Sequence, residues 1–254
     1  MSGKIPLDLS PRRGGGCRQC WIEALQKSVN LLKWNLAGKL FNRCFFLLWV
    51  LAWLFIFPHY VFGEEWVRVK WVADGDTIVL KDGTFVRYIA IDSPEIDHQN
   101  NIAEPYGYAA KEYNEKLVLS TKLRLEYDRE KTDRFGRKLA YVFTENGVFV
   151  NQALLEKGYA FYLHSKPNLK YRDLLIKTQQ QAMAHKRGIW KNLREKSEWY
   201  IGNRNSKRFH TPDCSWGKKT HPKNEILLTS AWDAFWQGYA PCRRCLSLGD
   251  LNDP

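Results

Sequence analysis

Acidic residues are in short supply in this sequence: 27 Asp and Glu stand against 39 Lys and Arg over 254 residues, a formal net charge of +12. A deficit of that size turns the search for partners away from cationic ones and toward polyanions, either nucleic acid or an acidic membrane face. A surplus kept for solubility is the plain alternative. The sequence also lacks a long unbroken apolar run. The longest, Cys44 to Phe57, has no charge and ends at Pro58. As a helix it reaches only roughly 21 Å, short of the ~30 Å hydrocarbon core. Continued through Phe62 it becomes long enough to span, with an irregularity at the proline. A buried amphipathic helix is excluded, because the run has no polar face.

Half of the surplus charge lies ahead of that run. Residues 1–43 carry eight basic residues and two acids, a net +6. A basic flank, a short apolar core and small or β-branched residues near Val61 and Gly63 fit an export signal cleaved after Gly63, or equally a retained membrane anchor spanning 44–62. Either way the positive flank stays inside and the chain from Glu64 onward faces outward, as a tethered or a secreted protein. The basic tail is long for a signal. Gly14-Gly15-Gly16 reads as a flexible stretch, and Trp21 to Leu40 has apolar residues at three- and four-residue intervals, compatible with a basic amphipathic helix on a membrane surface. A misassigned start codon accounts for the length as well. Cys17 and Cys20 form a Cys-x-x-Cys pair with no second ligand pair nearby.

From Glu64 the pattern changes. Val67 to Val72 alternates as a half-buried strand does, Thr77 to Leu80 follows after an Asp-Gly-Asp turn, and Lys81-Asp82-Gly83-Thr84 supplies a hairpin turn into a third strand, Phe85 to Ile91. Glu104-Pro105-Tyr106 opens a helix with Ala109, Ala110, Tyr113 and Leu117 at helical spacing. Lys122–Tyr127 and Lys138–Phe143 alternate again. Val148 to Glu156 reads as a helix stopped near Gly158, and a last helix runs from about Lys170 to His185. Five strands with interleaved helices predict a mainly β chain with α elements, a small closed barrel with helices packed on it.

The residues richest in chemistry sit in that region. Asp76, Asp92 and Glu95 can hold a hard cation and a water, while Arg87 and Arg137 can grip a phosphate; together they are the parts of metal-assisted phosphodiester cleavage. Each has a plainer reading. Asp74-Gly75-Asp76 is a common turn sequence, Glu95 after Pro94 could be an acid at a helix start, and Arg87 could be a surface charge on a strand.

Six stretches, in order, carry a resemblance: Asp74-Gly75-Asp76-Thr77; Val86-Arg87-Tyr88-Ile89-Ala90-Ile91-Asp92-Ser93-Pro94-Glu95; Glu104-Pro105-Tyr106-Gly107; Thr132 to Tyr141; Val150-Asn151-Gln152-Ala153-Leu154; and Arg187-Gly188-Ile189-Trp190. Over residues 64–190 the chain resembles the staphylococcal nuclease (thermonuclease) family. The resemblance implies a five-stranded OB-fold barrel with three helices, and a Ca²⁺-dependent endonuclease that cleaves DNA and RNA with little sequence specificity, leaving 3′-phosphates. It assigns Asp76 and Asp92 as carboxylate ligands of Ca²⁺, the backbone carbonyl of Ser93 as a third, Glu95 as the residue acting on the attacking water, and Arg87 and Arg137 as phosphate clamps. It further points to Arg134, Phe135 and Tyr162 as substrate contacts, although residues 158–167 do not align cleanly and Tyr162 could equally be core. A catalytically weak barrel that only binds nucleic acid at the cell envelope is the contrasting function. Retention of all five charged residues argues against it.

Beyond a charged linker, 191–198, lies a short segment, 199–250, with an odd number of cysteines. His210-Thr211-Pro212-Asp213-Cys214 is followed by Cys242-Arg243-Arg244-Cys245. One imidazole and three thiols make a tetrahedral donor set suited to Zn²⁺. The arrangement resembles the small metal-binding module of Ada-type repair proteins, with His210 in place of the methyl-accepting cysteine, which implies a structural zinc and no methyl transfer. A Cys242–Cys245 or Cys214–Cys245 disulfide is the alternative in an oxidising setting. His221 lies off the motif. Lys218, Lys219, Arg243 and Arg244 form either a nucleic-acid contact or a solvated face.

Overall fold

The computed structural model describes residues 66–100 and 102–251. The basic tail 1–43, the apolar stretch 44–62 and the Cys17–Cys20 pair lie outside the described residues.

The alternating strands close on one another. Strands β1 (Trp66–Asp74), β2 (Thr77–Leu80) and β3 (Phe85–Tyr88) form a meander. After the short strands β4 (Ile91–Asp92), β5 (Ile96–Asp97) and β6 (Ile102–Ala103), helix α1 (Gly107–Val118) leads into β7 (Lys122–Glu126) and β8 (Lys138–Thr144). The barrel runs β1-β2-β3-β8-β7 and back to β1, so five strands leave no open edge. All pairings are antiparallel except β3 with β8, where Arg87 lies opposite Leu139. Its interior is apolar: Val72, Ile78, Val86, Leu123 and Val142 are buried. Helices α2 (Val150–Lys157) and α3 (Arg172–Ala184) pack against it, giving five strands and three helices over this part of the chain.

Two boundaries differ by three residues from the sequence expectation. The third strand stops at Tyr88 rather than Ile91, because Ala90 adopts a left-handed φ of 64°. That turn frees Ile91–Asp92 to pair with β9 (Phe161–Tyr162) instead of continuing along β8. The break is fixed by side chains. Asn151, fully buried, donates from Nδ2 to the Ile89 carbonyl at 2.8 Å and accepts from the Val142 N–H at 3.0 Å. The first helix starts at Gly107, preceded by Tyr106 at φ 68°, rather than at Glu104.

The remaining elements are β10 (Tyr200–Asn203), β11 (Arg208–His210), β12 (Glu225–Leu228), α4 (Ala231–Trp236), β13 (Ala240–Pro241) and α5 (Leu248–Leu251). Their sheet order is β12-β10-β11-β13. This segment buries its apolar face on the helical side of the barrel. Phe161, Met183, Ile189 and Trp190 share one core with Tyr200, Phe209, Leu228 and Phe235. The rings of Trp190 and Phe235 meet edge to face at 4.9 Å. A polar tie crosses the same seam: buried Gln179 on α3 accepts from the Tyr162 N–H at 2.5 Å and donates to the Phe235 carbonyl at 2.6 Å.

Candidate active site

The acids are brought together by register. Asp76 occupies the tight turn between β1 and β2, where Asp74 pairs with Thr77. Gly75 is required there, since a Cβ at that position would lie 2.7 Å from both the Ser93 and Ala110 Cβ atoms. The close approach sets Asp76 against the following segment, and the Ser93 N–H donates to Asp76 Oδ2 at 2.7 Å. Thr77 lies opposite Arg87 across β2 and β3, which delivers the guanidinium to the same spot. Buried Asn114 braces the turn, accepting from the Tyr88 hydroxyl at 2.9 Å and donating to the Asp74 carbonyl at 3.3 Å.

Arg87 pairs with Asp76 Oδ1 and, at 2.5 Å, with Asp92 Oδ1. Asp76 and Asp92 are 4% and 1% exposed, so their charges are withdrawn from water and held by guanidiniums. Arg243, from the C-terminal segment, donates to Asp92 Oδ1 at 2.6 Å and to Glu95 Oε1 at 2.5 Å. Glu95 stands at the base of the β5–β6 hairpin, its N–H donating to Glu104 Oε2 at 2.9 Å. Its side chain is about half exposed, yet surrounding protein holds the carboxyl above the usual glutamate range. Desolvation is the main cause, Arg243 opposes it, and the Asp92 charge reinforces it. Asp74 is raised as well, by burial first. A cavity of about 200 Å³ opens between Asp92, Ser93 and Glu95 on one side and Arg243 and Leu248 on the other.

Arg137 is held apart from the acids, its Nε donating to Asp133 Oδ2 at 2.7 Å. It shares a second cavity, again about 200 Å³, with Arg87. Beside it Phe135 is 69% exposed, with the Arg134 guanidinium 4.7 Å above its ring. Phe135 lines a separate open cleft with Phe85, Arg137 and Lys138, and Arg134 stacks on it there. Tyr162 does not join them. Its side chain is fully buried in the hydrophobic core and its strand pairs with Ile91, so the expectation that it meets a base is corrected: the ring is spent on packing.

The donor set suits a hard cation. Asp76 and Asp92 are buried carboxylates that share Arg87, and the Ser93 N–H is drawn to Asp76, so oxygen donors of the kind such a cation takes lie close together. The residues that would hold Ca²⁺ are thus in contact, with guanidiniums as their present counter-charges.

The second donor cluster is also assembled. The ligand atoms of His210, Cys214, Cys242 and Cys245 lie within 4.8 Å of one another. The three cysteines are free thiols, so the disulfide alternative is not formed. His210 Nδ1 is 3.4 Å from Cys214 Sγ. Gly217 permits this closeness, as a Cβ there would sit 2.8 Å from the His210 Cβ. Burial pushes the Cys245 thiol up to about 12 and lowers the imidazole of His210. A tetrahedral ion with bonds of about 2.0–2.3 Å would draw the four atoms together by about an ångström. His221 caps the short turn at Pro222 by accepting from the Lys223 N–H, and lies outside this cluster.

Sequence reasoning placed Arg243 on the C-terminal segment alone. No spacing rule connects it to Asp92, 151 residues away. The only local signal was the pair of arginines inside a Cys-x-x-Cys turn, a geometry that projects side chains outward.

Comparison with known proteins agrees with the barrel. Residues 85–192 match the family described as Staphylococcal nuclease homologue. A thermonuclease of Staphylococcus hyicus is 39% identical over 133 residues, covering 51% of this chain and 78% of that protein. A thermonuclease of Staphylococcus intermedius is 42% identical over 131 residues, with 50% and 77% coverage. Endonuclease YncB of Bacillus subtilis (strain 168) is 42% identical over 123 residues, with 46% and 57% coverage. With the barrel closed and its acids and arginines converging, this chain belongs to the staphylococcal nuclease family.

Proposed function

We propose that the chain is a Ca²⁺-dependent nuclease that hydrolyses phosphodiester bonds of single-stranded DNA and RNA with little sequence preference, leaving 3′-phosphates. The observation that carries this reading is the convergence of Asp76, Asp92, Glu95 and Arg87 at one point, with each acid in ion-pair contact with an arginine. Ca²⁺ held by Asp76, Asp92 and the Ser93 carbonyl would supply counter-charge to the phosphoryl oxygens. The Glu95 carboxylate accepts a proton from a water, whose oxygen adds to phosphorus in line with the 5′ oxygen. That bond breaks and the 5′ oxygen takes up a proton. Arg87 and Arg137 bind the non-bridging oxygens, where negative charge grows, in the paired geometry that a guanidinium offers and an ammonium does not. The raised Glu95 favours proton acceptance once the group is ionised. Phe135 is exposed in the open cleft beside Arg137, with Arg134 over its ring, where a base or the backbone can rest.

In the same reading the cluster of His210, Cys214, Cys242 and Cys245 holds a structural Zn²⁺ within an Ada-like segment, 199–250. The basic and apolar stretches ahead of residue 64 export the enzyme, which then stays tethered or is released, where Ca²⁺ is plentiful. The test is degradation of single-stranded DNA and RNA by the purified chain with Ca²⁺ and with a Ca²⁺ chelator, beside Arg87→Ala and Glu95→Ala. Calcium-dependent loss of substrate that both variants lack is expected. Tight binding with no cleavage at millimolar Ca²⁺ would leave a binding protein instead.

A further inference from the structure

The tight turn Cys242–Cys245 sends its two arginines in different directions. The Cys245 N–H donates to the Cys242 carbonyl at 3.0 Å, and the Leu246 N–H to the same oxygen at 2.9 Å, which closes the turn. Arg243 runs to Asp92 and Glu95. Arg244 lies with its guanidinium 4.5 Å above the ring of Trp216, a residue 52% exposed.

Between these two side chains lies an open cleft of about 560 Å³ on the C-terminal segment. Four of its lining residues are basic, Arg208, Lys219, Arg243 and Arg244, and none is acidic. Arg208 is anchored, donating to the Pro241 carbonyl at 2.8 Å, and points its charge into the cleft wall. Arg243 borders both this cleft and the cavity at the catalytic acids, so one side chain stands at the edge of each. An exposed indole amid cations that no carboxylate of the cleft neutralises is the pairing that single-stranded nucleic acid uses: phosphates on guanidiniums and ammoniums, a base on the aromatic face. Arg244 covers one face of the Trp216 ring, and the indole is still about half exposed, so a base reaches it at its open side or by displacing Arg244.

We propose that this cleft is a strand-binding subsite of the nuclease, in which a single-stranded nucleic acid runs from the catalytic acids past Arg243 and places a base on Trp216 and phosphates against Arg208 and Lys219. Arg243 is then a phosphate contact at the junction, released from Asp92 when substrate and cation arrive. The C-terminal segment becomes the part of the enzyme that rewards long substrates. This inference rests on the reading of the site as a nuclease centre.

The experiment compares kcat/KM for a trinucleotide with that for a single strand of about 20 nucleotides, longer than the roughly 4–16 that one such groove covers. The full chain, Trp216→Ala, Lys219→Glu and, as a control outside the cleft, exposed Lys223→Ala are assayed. The advantage of the long substrate should collapse by about tenfold or more in Trp216→Ala, as expected for a lost stacking contact. Trp216→Phe should restore most of it, which a folding defect would not allow. In Lys219→Glu the salt slope of strand binding, measured with Ca²⁺ chelated, should fall by about one or more. Wild-type ratios in both Trp216→Ala and Lys219→Glu would overturn the proposal and leave the cleft a solvated face. If the wild-type chain cleaves neither substrate, the nuclease reading fails. Binding of the long strand in chelator then decides the cleft separately: weaker binding by Trp216→Ala upholds it, equal binding ends it.

Discussion

Arg87 and Arg243 donate to the same oxygen, Asp92 Oδ1, at 2.5 and 2.6 Å, one from the barrel and one from the C-terminal segment. Asp92 is 1% exposed, so its carboxylate is the single negative charge that two guanidiniums share away from water. Asp92→Asn removes that charge and leaves Arg87 with Asp76 alone and Arg243 with Glu95 alone. Breaking a buried pair from one side costs about 3–5 kcal/mol, and the partial exposure of Arg243 places the loss at the lower end. Urea denaturation of Asp92→Asn should therefore show a loss of about 3 kcal/mol. Arg243→Ala should cost less, because Asp92 keeps Arg87.

The two barrel arginines differ in how they are held, and their lysine variants should report it. Arg87 is locked between Asp76 and Asp92, whereas Arg137 is steered from behind by Asp133 and leaves its terminal nitrogens free for a phosphate. Loss of one preorganised donor at a transition-state oxyanion costs about 10²–10³ in kcat. Arg137→Lys should fall in that range with little change in stability. Arg87→Lys should lose both activity and stability, since one ammonium does not reproduce the planar fork whose two terminal nitrogens each take one carboxylate. Steady-state kinetics beside thermal melts separate the two.

The pH profile should carry the mark of Glu95. Its carboxyl is held above the ordinary glutamate range by desolvation, against Arg243 and with the help of Asp92. Only the ionised form accepts a proton, so kcat/KM should rise with pH through that raised value rather than through the ordinary one. Arg243 is the opposing influence. Arg243→Ala removes it, so the acidic limb should move to higher pH. A limb that stays in place or moves down would show that Glu95 does not govern the profile.

How much of this was legible beforehand follows from the range of the interactions. Alternating strands, the helix ending at Gly158 and the turn holding Asp76 are local, and local propensity wrote them plainly. The acids and arginines of the barrel were legible through their ordered motifs. The Ala90 turn was not. A left-handed alanine has no sequence signal, because a distant residue, Asn151, fixes it through the Ile89 carbonyl. Tyr162, which the sequence left open between a base contact and the core, proved to be core. The descent of Arg243 onto Asp92 depends on how the C-terminal segment seats on Trp190 and Phe161, a packing outcome with no local signature.

That seating gives the cysteine cluster a consequence for cleavage. Cys242 and Cys245 flank Arg243, and the four ligand atoms are gathered within 4.8 Å. A bound Zn²⁺ requires thiolates, whereas burial alone pushes the Cys245 thiol up to about 12, so the metal must bring the deprotonation about. Cys245→Ser should reduce bound zinc well below about one per chain and lower the melting temperature by several degrees. Zinc chelation of the wild type should do the same. Retained stoichiometric zinc in Cys245→Ser would remove that residue from the ligand set.

The barrel and the C-terminal segment should also unfold together, and Gln179 tests it. Its side chain is fully buried and spends both polar atoms on backbone groups, accepting from Tyr162 N–H beside Asp92's own strand pairing and donating to the Phe235 carbonyl across the seam. Gln179→Leu keeps the volume and strands one donor on the barrel side and one acceptor on the other. Each unsatisfied buried group costs about 1–3 kcal/mol, so the variant should lose roughly 2–4 kcal/mol. The aromatic contacts of Trp190, Phe161 and Phe235 remain, and they bury both segments in one core. Calorimetry should accordingly show a single transition, shifted down in the variant as a whole. Two separated transitions in the wild type would mean that the segment folds on its own and that Arg243 visits the acids only when docked.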